Sequence, residues 1–394
     1  MSGVLDGIRV LDFGRYIAGP YCATLLSDLG AEVIRIEKVD GSEDRFISPI
    51  ADGGEGPLFM QVGRNKLGMT LNPMKPEGRE VVKKLVATAD VVVANLPDES
   101  LEKMGLDYES LKAIKEDIIL TTVSAFGPQG PYRQKVGFDG VGQAMSGNMH
   151  VTGYPDEPMK NWVPYVDFGT ASLCAFGTMA ALMERQRTGK GQCVQGSLLG
   201  TALTFANSTL IEQAVIEIDR VATGNRGQVA APADVYKTKD GWILVQALGQ
   251  PLFERWCNLM DEDHWLEDPR FASDILRGDH GDIISARMSE WTEQRTTEDA
   301  IVSLEKARIP AGPVHSPRTA LEDPQVKAGG YMTDVDYPGL SRPAPLSKTP
   351  IRLSETPGEI RHRAPVLGEH TDQIMAELGY STTEVGALRA KRVV

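Results

Sequence analysis

The sequence predicts an α/β fold: a Rossmann-like parallel sheet in a large domain, then a smaller α+β domain, with the chain finally returning to the first. Three observations carry this. Apolar, β-branched runs (8–13, 32–37, 66–71, 90–95 and 117–123) alternate with runs of helical period, the pattern of a parallel sheet with right-handed crossovers. After residue 222 the pattern changes to a hairpin followed by helices. Between 335 and 365 stand six prolines, and residues without a backbone N–H make an extended strap rather than a core element. The expected boundaries are 1–222, 223–325 and 326–394.

The first strand, IRVLDF, is followed by the turn GRYIAGP, a helix over 21–29 stopped by Gly30, and a second strand, EVIRIE. This is a βαβ unit. Its turn lacks the G-x-G-x-x-G run, so a dinucleotide such as NAD is not expected. Residues 40–63 are polar, carry glycines and show no periodicity, and read as a long loop. A helix over 76–89 opens with Pro76, which suits a first helical turn. Short helices are expected at 100–104 and 108–114. Residues 127–153 hold seven glycines, and a loose stretch beside a strand end is a natural ligand site in an open sheet. Helices are expected at 141–146 and 196–215. In the second domain a hairpin spans 234–247, with Lys239-Asp240-Gly241 as its turn, and helices follow at 251–260, 284–292 and 297–307. The last helices run over 371–378 and 382–390.

Residues 161–192 carry the most pointed chemistry. Trp162, Val163, Tyr165 and Val166 read as an extended run ending at Asp167. A helix follows, with Leu173, Phe176, Ala180 and Met183 at helical spacing, basic residues at its end, and Gly189 and Gly191 to stop it. Asp167 therefore sits just before a helix, where free N–H groups favour an anion. It is either a capping residue or an ionised carboxylate placed to act as a nucleophile.

Composition narrows the function. A net charge of −13 argues against a nucleic-acid partner. Four scattered cysteines without a C-x-x-C pair imply free thiols in a reducing compartment. No H-E-x-x-H or Cys/His cluster offers a metal site. The N-terminus does not resemble a secretion signal, no apolar run approaches a membrane span, and a cytoplasmic protein is expected.

The 161–192 stretch resembles the nucleophile segment of the class III CoA-transferases, where an aspartate precedes an Ala-rich helix ending in an R-x-x-x-G-x-G-Q-like run, here Arg185 to Gln192. The resemblance also takes in LDGIRVLD at 5–12, Ala18-Gly19-Pro20, and Leu367-Gly368-Glu369-His370-Thr371. It implies an enzyme that moves coenzyme A from an acyl-CoA to a free carboxylic acid through an anhydride and a CoA thioester on Asp167. It also implies an interlocked, ring-like homodimer, with no metal and no NAD. Carried over position by position, it places coenzyme A against Arg15, Tyr16, Ile17 and Ala18 of the first loop, against Lys38, and against Leu71, Asn95 and Leu96 after their strands. Lys103 falls where a phosphate-binding residue is common in the family, and Lys75, Lys135, Phe138 and Asp139 are also placed against coenzyme A. The alternative activity on this fold is an acyl-CoA racemase. Racemases carry a His-Asp pair where this chain has Phe138-Asp139, and loss of that base favours transfer over proton exchange. Ile17, Phe138 and Trp162 point to a larger or more apolar acyl group than formate or oxalate.

Overall fold

A computed structural model describes residues 3–394. Its centre is a six-stranded parallel sheet of β1 (Arg9–Asp12), β2 (Glu32–Glu37), β3 (Lys66–Thr70), β4 (Val91–Ala94), β5 (Ile119–Ser124) and a sixth strand, Cys193–Ser197. The strand order is β3-β2-β1-β4-β5 and then the sixth. The order reverses between β1 and β4, so their C-terminal ends open a crevice, the usual ligand position in an open α/β sheet.

Alternating side chains of these strands feed two cores. Leu11, Ile34, Met69, Val92 and Leu120 face one side, packed by Val81, Val82, Leu85 and Val86 of α3 (Pro76–Thr88). Between β4 and β5 run α4 (Asp98–Met104) and α5 (Tyr108–Ile114), which add Leu101 and Leu111 to this core. The C-terminal helices Thr371–Glu377 and Thr382–Ala390 complete it with Ile374, Met375 and Val385. Val10, Val33, Val91 and Val93 face the other side, against α1 (Ala18–Asp28) and α7 (Tyr165–Thr188). Next to that face lie α2 (Pro57–Gly63), in the stretch expected to be a loop, α6 (Asp139–Met145) and α8 (Leu198–Ile216).

Helix α7 departs from the sequence reading at its start. It begins at Tyr165, inside the run expected to be extended. Its apolar positions at helical spacing face outward: Phe176 is 73% exposed and Met183 69%. The buried face is instead Ala171, Cys174, Ala175, Thr178, Ala181 and Leu182. Small residues win there because the backbone lies close to its neighbours. A Cβ on Gly169 would stand 2.6 Å from the Phe205 ring, and one on Gly177 2.9 Å from Val194. Gly189, at φ +70°, ends the helix. Among the described residues α7 is the one helix long and apolar enough to cross a membrane, contrary to the sequence reading, and half of its apolar stretch is buried within the protein.

The chain divides into two compact units, one made of the residues through Ser146, Asn161–Leu210 and Lys327–Val394, the other of Gly147–Lys160 and Ile211–Val326. In the second, antiparallel strands Ala233–Lys237, Trp242–Gln246 and Ala311–Pro313 carry helices Gln250–Met260, Gly281–Thr292 and Thr297–Lys306 over a core of Tyr236, Phe253, Trp256, Phe271 and Met288.

Candidate active site

The loop after β1 is held on all sides. Asp12, fully buried, accepts a bond from the Gly14 N–H (2.8 Å) and pairs with Lys66 Nζ (2.8 Å). Arg35 Nη1 donates to the Gly14 carbonyl at 2.6 Å, and its Nη2 to Asp44 at 2.7 Å. The Asn95 side chain, just past β4, grips the next residue twice: Oδ1 accepts from the Arg15 N–H (2.6 Å) and Nδ2 donates to the Arg15 carbonyl (2.8 Å). The Arg15 guanidinium folds back onto the carbonyls of Phe13, Gly14 and Ile36. Tyr16 follows at φ +59°, a left-handed conformation that a bulky residue adopts only under constraint.

The other wall is built around a second carboxylate. Asp139 opens α6 and is buried. Its Oδ2 accepts bonds from the backbone N–H of Val166 (2.8 Å) and of Asp167 (3.0 Å). These are two of the unpaired donors in the first turn of α7, so Asp139 caps that helix from 27 and 28 residues away. Gln143, one turn further along α6, donates to Asp139 Oδ1 and accepts from the Asn161 N–H at 2.9 Å.

Asp167 is thus the third residue of α7 rather than the residue before it. It is 8% exposed, and its carboxyl accepts no hydrogen bond among the described residues. Burial first, and the charge of Asp139 second, push the Asp167 carboxyl up from its ordinary 3.8 to about 7. The expectation that the helix N-terminus keeps it ionised is therefore corrected: the anion position at that terminus is taken by Asp139, and Asp167 meets a like charge instead.

A cavity of about 270 Å³ opens at the ends of β1, β4 and β5. Arg15, Tyr16, Ile17, Ala18, Asn95, Leu96, Lys135 and Phe138, all expected at the site, line it together with Asp167. Tyr16 and Phe138 meet edge to face, with ring centroids 5.3 Å apart. Lys135 lies over the Tyr132 ring at 3.8 Å. Four expected residues lie outside the cavity wall, and a fifth, Asp139, is committed to its cap. Leu71, just past β3, has its side chain buried in the core. Lys38 pairs with Glu43, Lys75 bonds the Lys391 carbonyl, and Lys103 pairs with Glu99 at 2.5 Å. The sequence reading missed Pro97, Asp98, Ser124, Arg133, Gln134 and Leu198 on the cavity wall, and Gln143 behind it. Ser124 was within reach, since it ends a parallel strand.

A switch-point crevice with a buried carboxyl, apolar walls and basic side chains is the usual place for a ligand in an open α/β sheet. The family model described as CoA-transferase family III matches residues 5–371, and the chain belongs to that family. It is similar to succinyl-CoA–D-citramalate CoA-transferase of Chloroflexus aurantiacus, 34% identical over 99% of this chain and 98% of that protein. Succinate–glutarate CoA-transferase of Agrobacterium fabrum is 32% identical over 95% of each. The crystal structure of a CAIB/BAIF family protein from Brucella suis superposes with a TM-score of 0.85, at 34% identity, over 96% of this chain and all of that one. The chain is a family III CoA-transferase, and CoA thioesters are its substrates.

Proposed function

We propose that this enzyme moves CoA from an acyl-CoA to a free carboxylic acid through covalent intermediates on Asp167. The Asp167 carboxylate attacks the thioester carbonyl; the C–S bond breaks, leaving an acyl-aspartyl anhydride and the CoA thiolate. The thiolate attacks the aspartyl carbonyl and releases the donor acid, giving an aspartyl-CoA thioester. The acceptor carboxylate attacks that thioester, re-forming an anhydride and thiolate. Attack of the thiolate on the acceptor's carbonyl yields the new acyl-CoA and frees Asp167. Splitting one exchange into such steps is the usual gain of covalent catalysis. The observation that carries this reading is a buried carboxyl on a cavity wall, its backbone fixed by Asp139 and its own oxygens free of hydrogen-bond partners among the described residues.

The rest of the cavity suits the same ligand. Ile17, Val123, Ala125 and Leu198 give the acyl group an apolar wall, while Arg133 and Lys135 supply charge for CoA phosphates. Two of the similar proteins are named for succinyl-CoA or succinate, so succinyl-CoA is the donor to test first, beside more apolar acyl-CoAs. We also propose an interlocked homodimer: Leu173, Phe176 and Met183 of α7, with Phe205 of α8, leave an apolar face open that a second copy would cover. Four free cysteines suit the cytoplasm.

The test is acyl exchange between a CoA thioester and a free acid. Asp167→Asn keeps the shape and is expected to abolish exchange by several orders of magnitude while still melting cooperatively. Hydroxylamine or borohydride trapping after incubation with acyl-CoA should modify the Asp167 peptide alone. Near wild-type exchange by a folded Asp167→Asn protein would sink the mechanism.

A further inference from the structure

The loop from Asp12 to Ala18 is bonded more heavily than a turn needs. Asp12 and Arg35 fix Gly14. Asn95 takes both polar groups of the Arg15 backbone. The product of these bonds is Tyr16 at φ +59°. Non-glycine residues in that region are costly, and they persist where surrounding structure over-determines them, most often at functional sites. The strain has a consequence inside the cavity, because Tyr16 meets Phe138 edge to face across it, at 5.3 Å between centroids. These two aromatic rings come from different elements, one from the loop after β1 and one from the residue before α6. With Asp167 they line one cavity.

Asn95 itself offers that cavity little. Its amide oxygen and nitrogen are both committed to residue 15, and the tight approach of Gly19, where a Cβ would stand 3.1 Å from Asn95 Oδ1, keeps the amide in place. Any ligand bond from Asn95 would add to these two rather than replace them. We propose that Asn95 is a positioning residue: by clamping the Arg15 backbone it holds Tyr16 in the left-handed conformation, and so fixes the Tyr16–Phe138 wall that limits the size of the acyl group presented to Asp167. This rests on the reading of Asp167 as the nucleophile.

Without the clamp, Tyr16 is free to relax to negative φ, its ring leaves Phe138, and the wall loses its shape. Glycine at position 16 would hold the same backbone without strain but would leave no ring. The two changes therefore act through one device, and their effects should not add.

The experiment is identity exchange, each acyl-CoA of a series from acetyl to octanoyl being assayed against its own isotope-labelled acid. Wild type is expected to show a chain-length cut-off in kcat/KM. Asn95→Ala is expected to flatten that profile about tenfold, chiefly through KM for the acyl-CoA. Tyr16→Gly should flatten it equally, and Asn95→Ala added to Tyr16→Gly should change the profile no further. An unaltered profile in Asn95→Ala, or full additivity in the double variant, overturns the proposal while Asp167-dependent exchange persists. If Asn95→Ala alone fails to fold, recovery of a cooperative melt in the double variant supports the clamp, since glycine needs none. Failure to recover would make Asn95 an ordinary structural residue and overturn the proposal. Absence of exchange by wild type with every acyl-CoA would overturn the functional reading and this inference together.

Discussion

Replacing Asp167 by asparagine should stabilise the protein, and should do so only where the carboxyl would otherwise ionise. The native state holds this carboxyl at about 7, against 3.8 ordinarily. An unfolded chain gives up the proton near 3.8, so between these values the native state retains a proton that the unfolded state has released. Stability contributed by the neutral carboxyl is full below pH 3.8 and is lost as pH rises through about 7. At about 1.4 kcal/mol per pH unit, the interval gives an upper bound of roughly 4 kcal/mol above pH 8. At about pH 5.5 only roughly 2 kcal/mol of it has developed. Asparagine carries no charge at any pH and escapes this loss. The stability difference between Asp167→Asn and wild type should therefore grow by up to about 2 kcal/mol from pH 5.5 to 8.5. Urea unfolding of both proteins at several pH values measures it. A difference that does not change with pH, or a variant less stable than wild type at pH 8.5, would refute the argument that burial and Asp139 oppose ionisation of Asp167.

The same ionisation should govern rate: kcat/KM is expected to rise with pH and reach half its plateau near pH 7, the range of the Asp167 carboxyl; a flat profile from about pH 5 to 9 would exclude it. Asp139→Asn keeps an acceptor for the Val166 and Asp167 N–H groups but removes the like charge. The acid limb should move to lower pH, and only partly, because burial is the larger cause of the raised value. CoA at about 100 times its Kd should stabilise the fold by roughly 2.7 kcal/mol in a melting experiment, and NAD should not. Sedimentation at micromolar concentration should give a dimer, and Phe176→Glu, which puts a charge on the exposed face of α7, should shift it toward monomer.

Much of the sheet was legible because its strands are short, β-branched and sealed between helices. The run at 32–37 was read with the bounds it has in the structure. The sixth strand, Cys193–Ser197, was not. Its Gly196 looks like a break, yet a Cβ there would stand 2.3 Å from Cys174 Sγ, so the residue answers to packing against α7 rather than to strand preference. Helix α2 was lost among the glycines on either side of it. The first turn of α7 was read as extended because Trp162, Val163, Tyr165 and Val166 favour strands. What turns it helical is a cap from Asp139, and no local window contains both partners. The cavity residues after β1 and β4 were found through family resemblance. The lysines were harder to place: Lys38, Lys75 and Lys103 lie off the cavity wall with partners nearby in space, and long flexible side chains take whichever partner is closest.

The last residues of the chain matter to the first in time as well as in space. Val385, Val393 and Val394 share a core with Leu11 and Ile34, and the Asn72 N–H bonds the Val393 carbonyl at 2.7 Å. During synthesis the sheet strands leave the ribosome long before that covering exists, whereas residues 211–326 form a continuous stretch of their own unit. At roughly 5–20 residues per second, the 160 or so residues from Leu210 to Thr371 take roughly 8–30 s to appear. Through that interval one apolar face of the sheet has α3, α4 and α5 but lacks the last two helices that complete its cover. A nascent chain in this state is a ready client for chaperones that hold apolar surface, and codons that slow translation between 211 and 370 would lengthen the exposure.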